Sequence, residues 1–426
     1  MAGQPLARTY YSASRSPTPA RPALAGAQDC DVCVVGGGIA GCSAALHLAE
    51  RGFDVILLEA EQVGWGASGR SGAQVLPGVA ASQHKLEKLI GVGEARKVWD
   101  VSVAGVRLVR ELIARHGIAG DFVAGHMLCA VKPRHDAQLR ADAEELRQRY
   151  GYEGVRYMPE EEVRGTVASG RYRGALYDAN AGHIHPLNYT LGLAAAAERR
   201  GVRIFEGTRA QRFEGRSPVR VSTPAGEVRC RQLVLCGNVY LGPTAPPLRS
   251  RIMAVGTCIV ATEPLGLKRA QSLITNNAAV ADTNWVLDYF RRSADHRLLF
   301  GGRVTYAGFD PDRIAAATRA RMVRVFPQLE DVRVEFAWGG YVDITRNRAP
   351  DFGRLNPDVY YLQGFSGHGI ALTGIAGLLV SEAIAGQAQR FDVFSRIPHR
   401  GFPGGRALRR PALVLAMLYY RIRDLL

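Results

Sequence analysis

The sequence predicts an α/β chain in which one parallel, doubly wound sheet is assembled from separated stretches, with a second, antiparallel sheet interleaved. Three observations carry this. A strand, glycine-rich turn, helix and strand follow one another in DVCVVGGGIAGCSAALHLAERGFDVILLEA, residues 31–60. Strands of alternating pattern dominate residues 252–344, and a strand-plus-helix unit returns in YYLQGFSGHGIALTGIAGLLVSEAIAG, residues 360–386. That order fits a discontinuous domain better than one open sheet wound in a single pass. At 426 residues the chain is long enough for two structural lobes.

The first unit is justified residue by residue. Val32, Val34 and Val35 form a β-branched run suited to a buried parallel strand. Gly36, Gly38 and Gly41 match G-x-G-x-x-G: the first makes the tight turn, the second admits a pyrophosphate, and the third lets helix and strand pack closely. Residues 40–51 keep Ala44, Ala45, Leu48 and Ala49 at helical spacing and stop at Gly52. Residues 55–58 form the second strand. Glu59 follows eighteen positions after Gly41, where a carboxylate accepts from ribose hydroxyls and repels a 2′-phosphate. With strand, helix, strand and acid in place, the unit reads as a Rossmann-like site for an adenine dinucleotide, FAD or NAD.

Residues 94–115 and 136–150 are helical in pattern. In GHIHPLNYTLGLAAAAERRGVRIFEG a helix over 186–200, capped by Gly201, leads into a strand over 202–205, and residues 233–236 form another buried strand. Near the C-terminus, a strand over 360–362, the SGHG turn and a helix over 370–385 suit a flavin, because the helix's N-terminal amides can face negative charge on the reduced ring. An NAD dehydrogenase usually keeps its nucleotide fold in one contiguous block, so the interleaving favours FAD.

Composition bounds the rest. The content, 47% hydrophobic and 22% charged, is that of a soluble globular protein, and the net charge of +15 comes from dispersed arginines. Without a dense basic tract or nucleic-acid motif, this reads as a generally basic surface and not a nucleic-acid site. Seven cysteines, an odd count in so long a chain, form no disulfide framework, which fits a reducing, cytoplasmic setting. Cys30 and Cys33 spell C-x-x-C, but an offset of three on a strand points them to opposite faces. Residues 1–29 read as an arm, arginine-bearing and acid-free up to residue 28, without the apolar core of a secretory signal; a transit peptide is the alternative. The apolar run 412–420 is too short to span a bilayer and reads as a docked terminal helix, with an interfacial anchor as the alternative.

Several stretches together carry a resemblance: TYYSAS (9–14), the glycine unit, GWGASGRSGAQ (64–74), GHIHPLNYTLGLA (182–194), LVLCGNVYLG (233–242), LDYFRRSADHRLLFGG (287–302), WGGYVDITRNRAPDFGRL (338–355), FSGHGIALTGIAG (365–377) and the end from Phe402. On these the chain resembles the D-amino-acid oxidase-like family of FAD-dependent amine oxidoreductases. The resemblance implies an FAD-binding Rossmann-like domain of glutathione-reductase type with an interleaved antiparallel-sheet substrate domain. The expected division is 30–95 with 166–248 and 347–400 for FAD, 96–165 with 249–346 for substrate, and 401–426 as an extension.

It also implies cofactor contacts. Gly36, Gly38, Ile39, Ala40, Gly41, Glu59 and Ala60 match the dinucleotide motif. Ala67, Ser68, Arg70, Ser71, Gly72 and Gln74 match the family's ASGRNGGQ loop beside pyrophosphate and isoalloxazine, with Ser71 and Ala73 where Asn and Gly are usual. Arg209 and Ala210 match the backbone contact with adenine, Gly237 a later strand end, and Gly367, His368, Gly369 and Ile370 the turn over the flavin. Amino-acid oxidases resembling this family carry a carboxylate-clamping arginine where this chain has Val342. Sarcosine oxidases tether FAD through a cysteine near the place of Gly340, so noncovalent FAD is expected here. The implied reaction is hydride transfer from a primary amine, γ-glutamylputrescine or a related polyamine, to flavin, with oxygen reduced to peroxide. Oxidation or dehydrogenation of an N-methyl, cyclic or D-amino acid is the alternative, and a peripheral membrane electron-transfer flavoprotein the second.

For the substrate side, Trp285, Asp288, Tyr289 and Arg291 lie along WVLDYFR, where i, i+2 spacing in a strand would put several of them on one sheet face, and Asp288 is a candidate to bind a cationic amine. Trp338 and Tyr341 are candidate cavity walls, His368 lies at the flavin turn, and Asp343 is a weaker acid candidate. His183 and His185 lack further metal ligands and read as a structural turn, so no metal is expected. GFSGH lacks the last glycine of a hydrolase nucleophile elbow.

Overall fold

A computed structural model describes residues 6–305 and 309–403. The terminal run 412–420 lies outside the described residues. The strand Gly26–Val35 sits near the middle of the first sheet, parallel to Val55–Leu58 on one side (Val34 opposite Leu57) and to Gly226–Leu235 on the other (Val34 opposite Val234). Arg203–Phe205 and Val359–Gln363 extend the parallel run at its two ends, and Asp351–Asn356 closes one edge antiparallel. A hairpin, Arg212–Glu214 with Val219–Ser222, leans on the long strand Gly226–Leu235. These parallel strands come from stretches far apart in the chain, so this sheet is discontinuous as the residue pattern predicts.

Val55, Ile56, Leu57 and Leu58 are all buried because the sheet is covered on both faces. The helix Ile39–Glu50 lies between that sheet and the helix Ile370–Ile384. Its crossing with the latter is close: a Cβ on Gly377 would stand 2.5 Å from the Ala44 nitrogen, and Ser43 Oγ donates to the Gly374 carbonyl at 2.7 Å.

The second sheet has nine strands, running from Val334–Thr345 through Ile252–Thr262, Leu298–Thr305, Tyr289–Arg292, Ala279–Asp282, Val123–Cys129 and Gly174–His183 to Gln74–Val75, with Val155–Pro159 also on Gly174–His183. It is antiparallel except where Ala279–Asp282 runs parallel to Val123–Cys129. One face packs Met127, Val260, Phe290 and Phe300 against Met322 and Phe326. The other carries Ile259, Leu299, Phe336 and Trp338 into the core of the first sheet, so the two sheets meet across a shared apolar layer.

Three expectations need correction. Gln74–Val75 and Gly174–His183 pair in the second sheet, although stretches 30–95 and 166–248 were expected wholly with the first. The helix Val92–His116, mostly expected with the second sheet, packs on Ile370–Ile384, where a Cβ on Gly105 would stand 3.0 Å from the Ala371 carbonyl. A strand pattern or an amphipathic stripe records burial but not the partner. Finally, the strand in WVLDYFR begins only at Tyr289, leaving Trp285 in a turn and half exposed. All seven cysteines are free.

Candidate functional site

The glycine turn is built by close approach. Gly36 has φ +110°, and a Cβ there would lie 2.8 Å from the Cys236 carbonyl group. A Cβ on Gly41 would lie 1.9 Å from the Gly36 oxygen, so only glycine lets the helix Ile39–Glu50 start against the strand end. Gly38 faces the Ser68 hydroxyl, which accepts from the Ile39 amide at 3.0 Å. The first helical turn, beginning Ile39-Ala40-Gly41, carries no acid, which suits an anion at its positive end.

Glu59 follows the neighbouring strand. Its carboxylate accepts from the Gly37 amide at 2.6 Å and the Glu61 amide at 2.9 Å, while burial pushes its carboxyl above the usual range. The Thr208 amide donates to the Glu59 carbonyl at 2.8 Å, drawing residues 208–210 beside Glu59 and Ala60. There Arg209 pairs with Glu61 at 2.8 Å, and the Ala210 carbonyl accepts from Thr244 at 2.9 Å. Gly237 packs under Leu241 at the end of the third parallel strand. The cradle fits an adenine dinucleotide: a bare helix terminus, glycines where a Cβ has no room, and a carboxylate at the strand end.

The stretch 67–74 is held from several sides. Ala67–Gly69 forms a short 3-10 turn. The Arg70 guanidinium lies 4.6 Å from the Trp65 ring centroid and donates to the Trp65 carbonyl, with no carboxylate partner among the described residues. Gly340 makes room for it, since a Cβ there would stand 2.9 Å from Arg70 Cδ. The Trp338 indole donates to the Arg70 carbonyl at 3.0 Å, and the Tyr11 phenol to the Ser71 carbonyl at 3.0 Å. A Cβ on Gly72 would meet the Tyr289 ring at 2.6 Å, Ala73 has φ +64°, and Gln74 donates to the Val280 carbonyl at 3.1 Å.

The turn before Ile370 is organised by Asp343. Its carboxylate accepts from the Gly364 amide and, at 2.9 Å, from the Phe365 amide; burial pushes it up to about 6 against those hydrogen bonds. Ser366 and Gly367 both have positive φ, and His368 Nε2 donates to the Pro77 carbonyl at 2.8 Å. Gly369 then caps a helix start at Ile370 that has no side-chain cap and no acid in its first turn. Asp343 thus holds the turn.

Of the substrate-side candidates, Tyr289, Trp338 and His368 converge on the stretch 67–77. Asp288 does not: it is buried, and its charge is met by Arg321 at 2.7 Å, with Arg171 at 3.9 Å. Trp285 lies in a half-exposed turn, and Tyr341 is partly exposed, packing on Phe309 at 4.9 Å. His183 and His185 are structural: His183 Nε2 donates to the Asn277 carbonyl at 2.9 Å, and His185 Nδ1 accepts from the Asn188 amide at 3.1 Å to cap a helix. No metal-binding cluster occurs among the described residues.

Two site residues escape the sequence. His126 lies on the face of its strand opposite Met127 and Cys129; it is buried, pushed down to about 3 by burial with His368 nearby, and its Nε2 has no protein partner. A lone histidine in the apolar run GHMLC is its only signal. Tyr11 comes from the arm, where nothing local shows that it reaches Ser71.

The family model described as "FAD dependent oxidoreductase" matches residues 31–383. The chain is 41% identical to gamma-glutamylputrescine oxidoreductase of Escherichia coli over 98% of both chains. It is 38% identical to the probable oxidoreductase OrdL of Haemophilus influenzae, over 98% of this chain and 97% of the relative. The solved glycine oxidase of Geobacillus kaustophilus shares the fold at a TM-score of 0.72 and 21% identity, over 88% of this chain and 100% of that one. With a dinucleotide cradle at its glycine turn and a family match across most of its length, this chain belongs to the FAD-dependent oxidoreductase family and is an FAD-dependent oxidoreductase.

Proposed function

We propose that the enzyme oxidises a primary amine whose reacting carbon bears no carboxylate, γ-glutamylputrescine or a related acylated polyamine, using noncovalent FAD and oxygen. Bound FAD supplies an acceptor for the hydride that leaves the amine's α-carbon; the resulting imine takes up water to give aldehyde and ammonia, and oxygen leaves as hydrogen peroxide. The chain's own task is to position that carbon and keep the amine neutral. Burial on the loop-facing side of the second sheet favours the uncharged amine, and His126 and His368, both held neutral by burial, add no positive charge.

The observation that carries the substrate class is Val342. It shares a strand face with Trp338 and Gly340, and the resemblance to amino-acid oxidases puts their clamping arginine at this position. The two guanidinia that border the loop are engaged: the Arg291 fork is occupied by Tyr11, His183 and the Arg292 carbonyl, and Arg70 is stacked on Trp65. The name of the Escherichia coli relative supports the same substrate. Noncovalent FAD is supported by Cys258, which is buried on the opposite face of the second sheet from Trp338. Among the described residues no single helix is long and apolar enough to cross a membrane.

Anaerobic stopped-flow reduction with equal concentrations of γ-glutamylputrescine, putrescine, sarcosine, glycine and D-alanine tests this. The acylated diamine should bleach the flavin at least two decades faster than the amino acids, the scale of a lost charge-assisted clamp of a few kcal/mol. Sarcosine or D-alanine bleaching it as fast would overturn the assignment.

A further inference from the structure

We propose that the N-terminal segment is a working part of the flavin site: the Tyr11 phenol, backed by the Arg291 guanidinium, fixes and polarises the Ser71–Gly72 peptide of the loop. This rests on the reading of residues 67–74 as the flavin-bordering loop. Arg291 is 5% exposed and makes no ion pair among the described residues. Its Nη2 donates to the Tyr11 oxygen at 3.1 Å, its Nη1 to His183 Nδ1 at 3.3 Å and to the Arg292 carbonyl at 3.2 Å, and its Nε is unpartnered. A cation buried among neutral acceptors is costly, and its field falls on those acceptors. Tyr11 is the one that passes it to the loop, because its own hydrogen goes to the Ser71 carbonyl at 3.0 Å, whereas that of His183 goes to the Asn277 carbonyl at 2.9 Å.

A phenol that accepts from a cation is a stronger donor, and a carbonyl that accepts a stronger bond leaves its peptide N–H more acidic. That N–H belongs to Gly72, which is partly exposed and makes no hydrogen bond among the described residues. The relay therefore ends on a polarised donor without a protein acceptor among the described residues.

The same contacts hold a strained loop in place. Ala73, at φ +64°, occupies a conformation costing roughly 1 kcal/mol or more for a residue with a Cβ. Successive carbonyls just before it, those of Arg70 and Ser71, are gripped by Trp338 and Tyr11, whose rings meet edge to face at 5.5 Å. The arm is fastened independently, by Ser14 to His185 Nε2 at 3.1 Å and by the Ser16 amide to Asn188 at 2.8 Å.

The test measures FAD affinity and the two-electron midpoint potential of the bound flavin without substrate, so it stands apart from the substrate assignment. Tyr11→Phe keeps the ring and loses both hydrogen bonds. It should bind FAD three- to tenfold more weakly and lower the preference for reduced flavin by a similar factor, about 15–30 mV. Arg291→Gln removes the charge behind the phenol and should move the potential the same way, which keeps the test decisive if Tyr11→Phe fails to fold. Ser14→Ala loosens the arm away from the loop and should leave the potential unchanged. Wild-type affinity and potential in both Tyr11→Phe and Arg291→Gln, or an equal shift in Ser14→Ala, overturns the proposal. Ser68→Ala separates the two failures: if it too leaves FAD binding untouched, the loop is not at the flavin; if it alone weakens binding, only the arm's role is refuted.

Discussion

Replacing Gly41 by alanine places a methyl carbon 1.9 Å from the Gly36 carbonyl oxygen, where real side chains essentially never come within 3.0 Å. The helix Ile39–Glu50 would have to retreat, but its far side is blocked: the Ala44 nitrogen lies 2.5 Å from where a Cβ on Gly377 would stand. Both obstacles are backbone, so the cost belongs at the upper end of the roughly 1–3 kcal/mol typical of overpacking. At about 2.1 cal/mol/K of unfolding entropy per residue, a chain of 426 residues shifts by about 1 °C per kcal/mol, so the FAD-free protein should melt roughly 3 °C lower. Gly38→Ala is the contrast, since its methyl meets only the movable Ser68 hydroxyl at 2.9 Å. Losing that hydroxyl's bond to the Ile39 amide costs about 1 kcal/mol, about one degree. Yet the methyl stands where the pyrophosphate must approach the helix, so FAD affinity should fall at least tenfold. Thermal melts of FAD-free protein and fluorescence titration with FAD read the two effects separately. Gly41→Ala melting with wild type, or Gly38→Ala binding FAD as wild type, would refute this account of the turn.

Asp288→Asn should lower stability while leaving the KM for the amine unchanged, because the carboxylate serves Arg321; the loss should stay below the roughly 3–5 kcal/mol of a fully buried pair, since Arg321 is partly exposed. A raised KM at unchanged stability would return Asp288 to the substrate site. His126→Gln tests the buried imidazole. The native pKa of about 3 lies below the unfolded 6.5, so the unfolded chain binds the extra proton and stability from this group, full above pH 6.5, is lost as pH falls. Relative to the glutamine variant, wild type should lose about 2 kcal/mol between pH 7.5 and pH 5.0 in urea unfolding, and a pH-independent difference would show that His126 is not held neutral.

The dinucleotide turn was legible in the sequence because its constraints are local. The glycines at 36, 38 and 41 and the acid at 59 answer to distances within one strand-turn-helix-strand unit, and spacing alone encodes them. Helix extents were legible for the same reason: residues 40–51, 186–200 and 370–385 were expected, and Ile39–Glu50, Pro186–Arg199 and Ile370–Ile384 are observed. Partners were not. The chain does not record that Gly174–His183 joins the second sheet, that Arg321 reaches back to Asp288, or that Gly340 is bare to admit Arg70 from a segment 270 positions earlier. Tyr11 reads as part of a polar arm until folding sets it between Ser71 and Arg291, and His126 as one more strand residue until folding buries it within reach of the charge on His368. Periodicity states which face of an element is buried. What that face meets is decided by contacts between distant segments that form only when both sheets close on their shared apolar layer.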